Sequence, residues 1–153
     1  MCSITIGLMV AGTLFSAYSQ NQQGKYQEDL AKNNAIVQQR QADDAIKRGE
    51  VDEMNHRLKV AQMKSSQRAK FGASGADVNS GSSLDVLADT AMMGELDALT
   101  IRGNASREAY GYRVGASNTI AQGKLDKSRG TNNAISTLLT GGGKVSSQWY
   151  SSR

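Results

Sequence analysis

The sequence predicts an all-α protein: a long helical hairpin with coiled-coil-like packing, led by an apolar N-terminal helix and followed by a flexible C-terminal tail. Three observations carry this prediction. The 153 residues contain no proline, so the strongest helix breaker is absent. Apolar residues recur at steps of three and four, and no alternating strand pattern is sustained. One strong loop signal, "FGASGADVNSGSS" at 71–83, divides two long helical stretches.

The opening segment, "MCSITIGLMVAGTLFSAYSQ", carries no charge; the first charged side chain is Lys25. A signal peptide, a membrane helix and a packing helix are the three readings to separate. A secretory signal begins with a basic n-region, and none precedes this apolar run, so the segment is expected to be retained. Residues 4–18 would make about 22 Å of helix at 1.5 Å per residue, short of the roughly 30 Å hydrocarbon core of a bilayer. Gly7 and Ala11, like Gly12 and Ser16, stand four apart, a spacing that lets helices approach closely in an apolar medium. Tyr18 at the polar boundary suits an interfacial position. Residues 1–19 are therefore expected to be a membrane-competent or protein-docking helix, with Gly7, Leu8, Ala11, Gly12, Leu14, Phe15 and Tyr18 as its membrane or oligomer contacts.

A long polar helix is predicted over 20–70. Leu30, Ile36, Val37, Ile46, Val51, Met54, Leu58 and Ala61 approximate its inward stripe, and Asp44 with Arg48 forms an i,i+4 pair in the favourable order. The Gly/Ser turn is placed at 71–82, where Ser82 and Asp85 read as an S-x-x-D variant of a capping box. The second long helix is predicted over 83–129. Its seam is Leu87, Ala91, Gly94, Ala98, Ile101, Ala105, Ala109, Tyr112, Ala116 and Ile120, nearly five repeats of a heptad-like rhythm. Most of these residues are small, so two backbones can come closer than a leucine zipper allows. Gly103, Gly111, Gly115 and Gly123 each cost about 1 kcal/mol against alanine inside a helix, which close packing must offset. Beyond 129, residues 133–140 have room for two helical turns, and Gly141, Gly142 and Gly143 are expected to stop them, leaving 130–153 as a short helix and a flexible or docking tail.

Composition narrows the function. Hydrophobic residues make up 39% and aromatic residues 5% of the chain, too few for a self-sufficient globule, so burial must come from helices packing on each other or on sister subunits. The net charge of +4 permits contact with nucleic acid or anionic lipid without requiring either. A single cysteine, Cys2, excludes an intrachain disulfide and a thiolate metal cluster, and it has no local base to make it a nucleophile. His56 is the only histidine; without a placed partner it reads as a solvent-facing helix residue rather than a general base. "TGGGK" at 140–144 lacks the frame of a phosphate loop, since Val145 follows the lysine and no strand precedes it. No catalytic, metal-binding or cofactor-binding residue is expected, and no cofactor. The one basic stretch runs from Met54 to Ala76, where Arg57, Lys59, Lys64, Arg68 and Lys70 stand without an acid among them. These five are candidates for DNA or lipid phosphate contact, set against a solvated face or pairing with acids of another helix.

The order of the segments, an apolar Met-Cys start, a glutamine-rich helix and then "SGSSLDVLADTAMMGELDALTIRGNASREAYGYR" at 80–113, resembles the internal virion proteins of short-tailed phages. The matching positions are Ser80, Gly81, Ser82, Asp97, Ile101, Arg102, Asn104, Ala105, Ala109, Gly111 and Tyr112. The resemblance covers most of the chain in layout and about 35 residues in detail. It implies a small DNA-ejection protein, stored in the virion interior near the portal, that leaves with or before the genome. It implies assembly into a homo-oligomeric ring in the host outer membrane, reaching the periplasm, as a channel for DNA. The implied partners are copies of itself, other internal virion proteins, portal or tail proteins, the host outer membrane and, transiently, phage DNA. The chain departs from some relatives in its short tail, which lacks a further hydrophobic region. Long helices with a small core, no disulfide and no proline suit a chain that threads a narrow tail, because little packing must be undone. Two other readings stay beside this one: a structural core or adaptor protein at the portal or tail that never enters a membrane, and a nucleic-acid-binding coiled coil acting through Arg57 to Lys70.

Overall fold

In the computed structural model the backbone is described for residues 2–151, and side chains for residues 7–147 together with Trp149 and Tyr150. The side chain of Cys2, weighed above as a nucleophile, lies outside the described residues, as does Arg153. Two helices account for nearly all of it: α1 (Cys2–Ala73) and α2 (Gly81–Ser151). The chain divides into two compact units, one made of Gln39–Val114 and the other of Met1–Gln38 with Gly115–Arg153.

The 39–114 unit is a helical hairpin. Its turn forms because the end of α1 is capped by its own backbone. The Ala76 N–H donates to Phe71 C=O and the Gly75 N–H to Gly72 C=O, both at 3.1 Å. This is the Schellman arrangement, and it needs a left-handed residue at the position Gly75 occupies with φ 77°. Asp77 then ties the turn together, accepting from the Asn79 N–H at 2.9 Å and the Ser80 hydroxyl at 2.7 Å. The turn thus occupies 74–80 and α2 begins at Gly81, so Ser82, expected as the N-cap, lies inside the helix.

Below the turn the two helices run antiparallel, with Gln67 opposite Thr90, Arg57 opposite Glu95 and Gly49 opposite Ala105. The core is Ala42, Ala45 and Ala109, with Ile46 and Tyr112 packed against it. A methyl group on Gly49 would collide with the Ala105 side chain, and one on Gly94 with Val60. The glycines are therefore what lets the helices approach.

The other unit pairs the N-terminal half of α1 with the C-terminal half of α2 by the same device. Its buried apolar residues are Ala17, Ala35, Ala116 and Ala134. At Gly24 and Gly130 the backbones themselves touch: a Cβ on Gly130 would lie 2.9 Å from both the Gln20 carbonyl oxygen and the Gly24 Cα. Gly123 faces Ala31 and Glu28, and Gly141 faces Thr13.

Three expectations change here. First, there is no break at 129–130 and no stop at Gly141–Gly143; α2 is helical through Ser151, so the expected short helix and flexible tail are one continuous element with the second helix. α1 likewise joins the expected apolar helix 1–19 and the long helix 20–70 without interruption. Glycines with a penalty of about 1 kcal/mol each are carried because Gly130 and Gly141 sit where α1 passes closest and add packing there. Second, the large apolar residues expected to face inward from α1 do not. Leu30, Ile36, Val37, Val51, Met54 and Leu58 are exposed, and the inward positions belong to Ala35, Ala42, Ala45 and Gly49. A leucine on this seam would hold the backbones too far apart for the glycine contacts. Third, Arg48 does not close on Asp44 but reaches across to Glu108 at 2.8 Å.

Candidate functional site

Of the ten buried hydrophobic residues among those described, nine are alanine and the tenth is Leu87. Among the described residues no large side chain is fully buried. A buried methyl or methylene group stabilises by about 0.8 kcal/mol, against 1.5–3 for a whole leucine or phenylalanine. The seam therefore joins the helices with little energy, while most of the large apolar side chains stay in solvent.

Within the 39–114 unit these exposed residues are ordered. Met92, Leu96, Leu99, Gly103, Tyr110 and Val114 follow at steps of four, three, four, seven and four along α2, which keeps them on one face. Met92, Leu96, Leu99 and Tyr110 are each half exposed or more. Val51, Met54 and Leu58 repeat the pattern on α1 at steps of three and four. Gly103 and Gly111 have no atom within 4 Å of where a Cβ would stand, so nothing within the chain accounts for them. The expected α2 seam lies on the opposite side. Leu87, Gly94, Ala98, Ala105, Ala109 and Ala116 are buried, and Ala91, Ile101, Tyr112 and Ile120 are half-buried. The outward stripe was missed at the sequence level, although its seven-residue rhythm is written in the same helix.

In the other unit the residues expected to meet a membrane or sister subunits are exposed, while Ala17 of the same segment is buried against α2. Gly7, Leu8, Ala11, Gly12, Leu14, Phe15 and Tyr18 all face solvent, with Leu8 at 70% and Phe15 at 74% of full exposure. A Cβ on Gly7 or Gly12 would meet open space. Among the described residues, no helix is long and apolar enough to cross a membrane. Further along, Lys127 holds Glu28 at 2.8 Å and Lys32 holds it at 3.1 Å. The hydrogen bond from Lys127, then that from Lys32, keeps the Glu28 carboxyl below its usual range.

The basic stretch is split by the hairpin. Arg57, Lys64 and Arg68, spaced seven and four apart, line a groove of about 620 Å³ beside the turn, with Val60, Ala61, Leu84, Leu87, Ala88 and Ala91 as apolar wall and floor. Lys59 and Lys70 do not line it. Arg57 is matched by two carboxylates, Glu95 at 2.7 Å and Glu53 at 3.0 Å. Arg68 donates to the Asn79 amide oxygen at 2.7 Å. Lys64 is half-buried, and no carboxylate among the described residues stands within ion-pair distance of it.

His56 is not solvent-facing. Its side chain is 27% exposed, its Nε2 stands 3.8 Å from the Asp97 carboxylate, and that nitrogen is buried without a hydrogen-bond partner. Gly94 and Ala98 draw α2 close enough to enclose a mid-helix residue. Among the described residues no group of three or more His, Cys, Asp or Glu could hold a metal ion.

No curated protein and no solved structure matches this chain. A protein-family model does, and it spans the whole arrangement, from the apolar start of α1 through the capped turn to the end of α2: residues 1–152 match the T7 virus internal virion protein gp14 family, to which this chain therefore belongs.

Proposed function

We propose that this internal virion protein is an ejection protein, leaving the capsid with or before the genome and assembling from identical copies into a channel in the host outer membrane through which DNA passes. The observation that carries the reading is the inversion of the hairpin: alanine and glycine inside, leucine, methionine, tyrosine and phenylalanine outside. A chain built this way buries its large apolar surface only against neighbours, and a closed ring of copies gives every stripe a partner. The thin internal seam serves ejection, since a helix pair joined by alanines opens at small cost. Copies side by side would present the residues from Leu8 to Tyr18 as a collective apolar belt, which no single helix supplies.

Dye-loaded liposomes test the membrane step. The full chain is expected to release dye, and removal of residues 1–20 to abolish release. No release by either protein refutes it. Sedimentation tests the assembly: Leu96→Asp with Leu99→Asp should reduce the oligomer to monomer, whereas a wild-type chain that is itself monomeric refutes the ring. One observation favours a second reading, a portal or tail adaptor that stays outside membranes: the lack, among the described residues, of a helix able to cross one. Tracking the protein after infection separates the two, because an adaptor remains with the emptied particle.

A further inference from the structure

We propose that the groove beside the turn binds a phosphomonoester lipid, its headgroup on Lys64 and Arg68 and its acyl chain against Leu84 and Ala88. The inference stands on the groove and does not require the ring. A volume of about 620 Å³ suits a small ligand. The charge balance selects the headgroup. Arg57 is held by Glu95 and Glu53, whereas no carboxylate among the described residues stands within ion-pair distance of Lys64 or Arg68, so the groove's positive charge is concentrated on these two. A phosphomonoester carries about −1.5 to −2 near neutral pH. Half-burying a lysine without a counter-ion is unfavourable, so the site is completed by an anion from outside.

The apolar floor selects the rest of the molecule. A phosphate backbone of DNA would meet protruding cations and leave the exposed Leu84 and Ala88 unused. An acyl chain covers them while the phosphate reaches the rim. Lys59 and Lys70, equal in charge but off the groove, provide an internal control.

The test is calorimetric titration of the full chain with dihexanoyl phosphatidic acid below its micelle concentration. Lys64→Gln with Arg68→Gln is expected to weaken binding at least tenfold, and Lys59→Gln with Lys70→Gln by less than twofold. Dihexanoyl phosphatidylcholine should bind at least tenfold more weakly than the acid. Leu84→Ser, at a half-exposed position that leaves the seam intact, should weaken the acid severalfold. Circular dichroism checks each variant for folding, and Leu84→Ser with the headgroup comparison decides should the Lys64 and Arg68 variant not fold. Equal losses from the two charge pairs would refute the site. So would inorganic phosphate binding as tightly as the lipid, which would leave an anion site alone. Displacement of the lipid by a short DNA duplex at lower concentration would overturn the proposal in favour of nucleic acid.

Discussion

Changing Gly130 to alanine should destabilise the protein, although the same change usually strengthens a helix. In an open helical position the gain is about 1 kcal/mol. At Gly130 the new methyl group would lie 2.9 Å from the Gln20 carbonyl oxygen, 2.9 Å from Gly24 Cα and 3.2 Å from Gly24 N. Non-bonded carbon atoms prefer about 3.5–4.0 Å. All three obstacles are backbone, so no side chain can turn away; the helices must part by something like 0.6–1 Å, and the contacts of Ala17 and Ala134 loosen with them. Overpacking of this kind costs about 1–3 kcal/mol, which leaves a net loss of about 0–2 kcal/mol once the propensity gain is subtracted. Gly142 lies in the same helix with nothing within 4 Å, so Gly142→Ala should return the full gain of about 1 kcal/mol. Two identical substitutions twelve residues apart thus differ by about 1–3 kcal/mol. Urea unfolding followed by circular dichroism, at one protein concentration because assembly shifts apparent stability, measures the difference. Equal stabilisation by both would show that the helices do not meet at Gly24 and Gly130.

Two further outcomes concern the turn and its acids. Gly75→Ala places a Cβ at φ 77° and should cost about 1–2 kcal/mol, read as a lower denaturant midpoint with an unchanged slope. The Asn79 N–H, then the Ser80 hydroxyl, holds the Asp77 carboxyl below its usual range, as Lys127 and Lys32 do for Glu28. Because both are lowered in the folded state, their stabilisation is present above the ordinary carboxylate pKa of about 4 and is lost as pH falls below it and through the lowered folded value. Melting temperature should therefore drop on acidification from about pH 5 to pH 3, and Asp77→Asn with Glu28→Gln should flatten that drop; an unchanged acid limb in the double variant refutes the assignment. The Lys32 ammonium shows the opposite sense. Its hydrogen bonds to Glu28 and then Asp29 raise its pKa, so its contribution is present below the ordinary lysine value and lost as pH rises through the raised one.

The sequence by itself determined that this chain is helical and where it turns. Both are local properties. Proline is absent, the apolar period is helical, and glycine, serine and aspartate cluster once, around the Gly75 that the Schellman cap requires. The small residues recurring through α2 are also visible in the sequence, and most of them are buried. The tertiary structure alone decided which face of α1 turns inward. Ranking residues by hydrophobicity selects Leu30, Val37, Val51 and Leu58, and these point outward. Glycine looks like a break at 130 and a stop at 141, yet both positions are points of closest approach, because a missing side chain acquires meaning only when a second backbone lies against it. The same holds for the basic stretch: five cations in sequence become two without carboxylate partners in a groove, one locked to carboxylates beside them and two elsewhere, once α2 lies against α1. Periodicity records which residues share a face. Which face finds a partner is settled by how close two helices can come, and in this protein alanine and glycine set that distance.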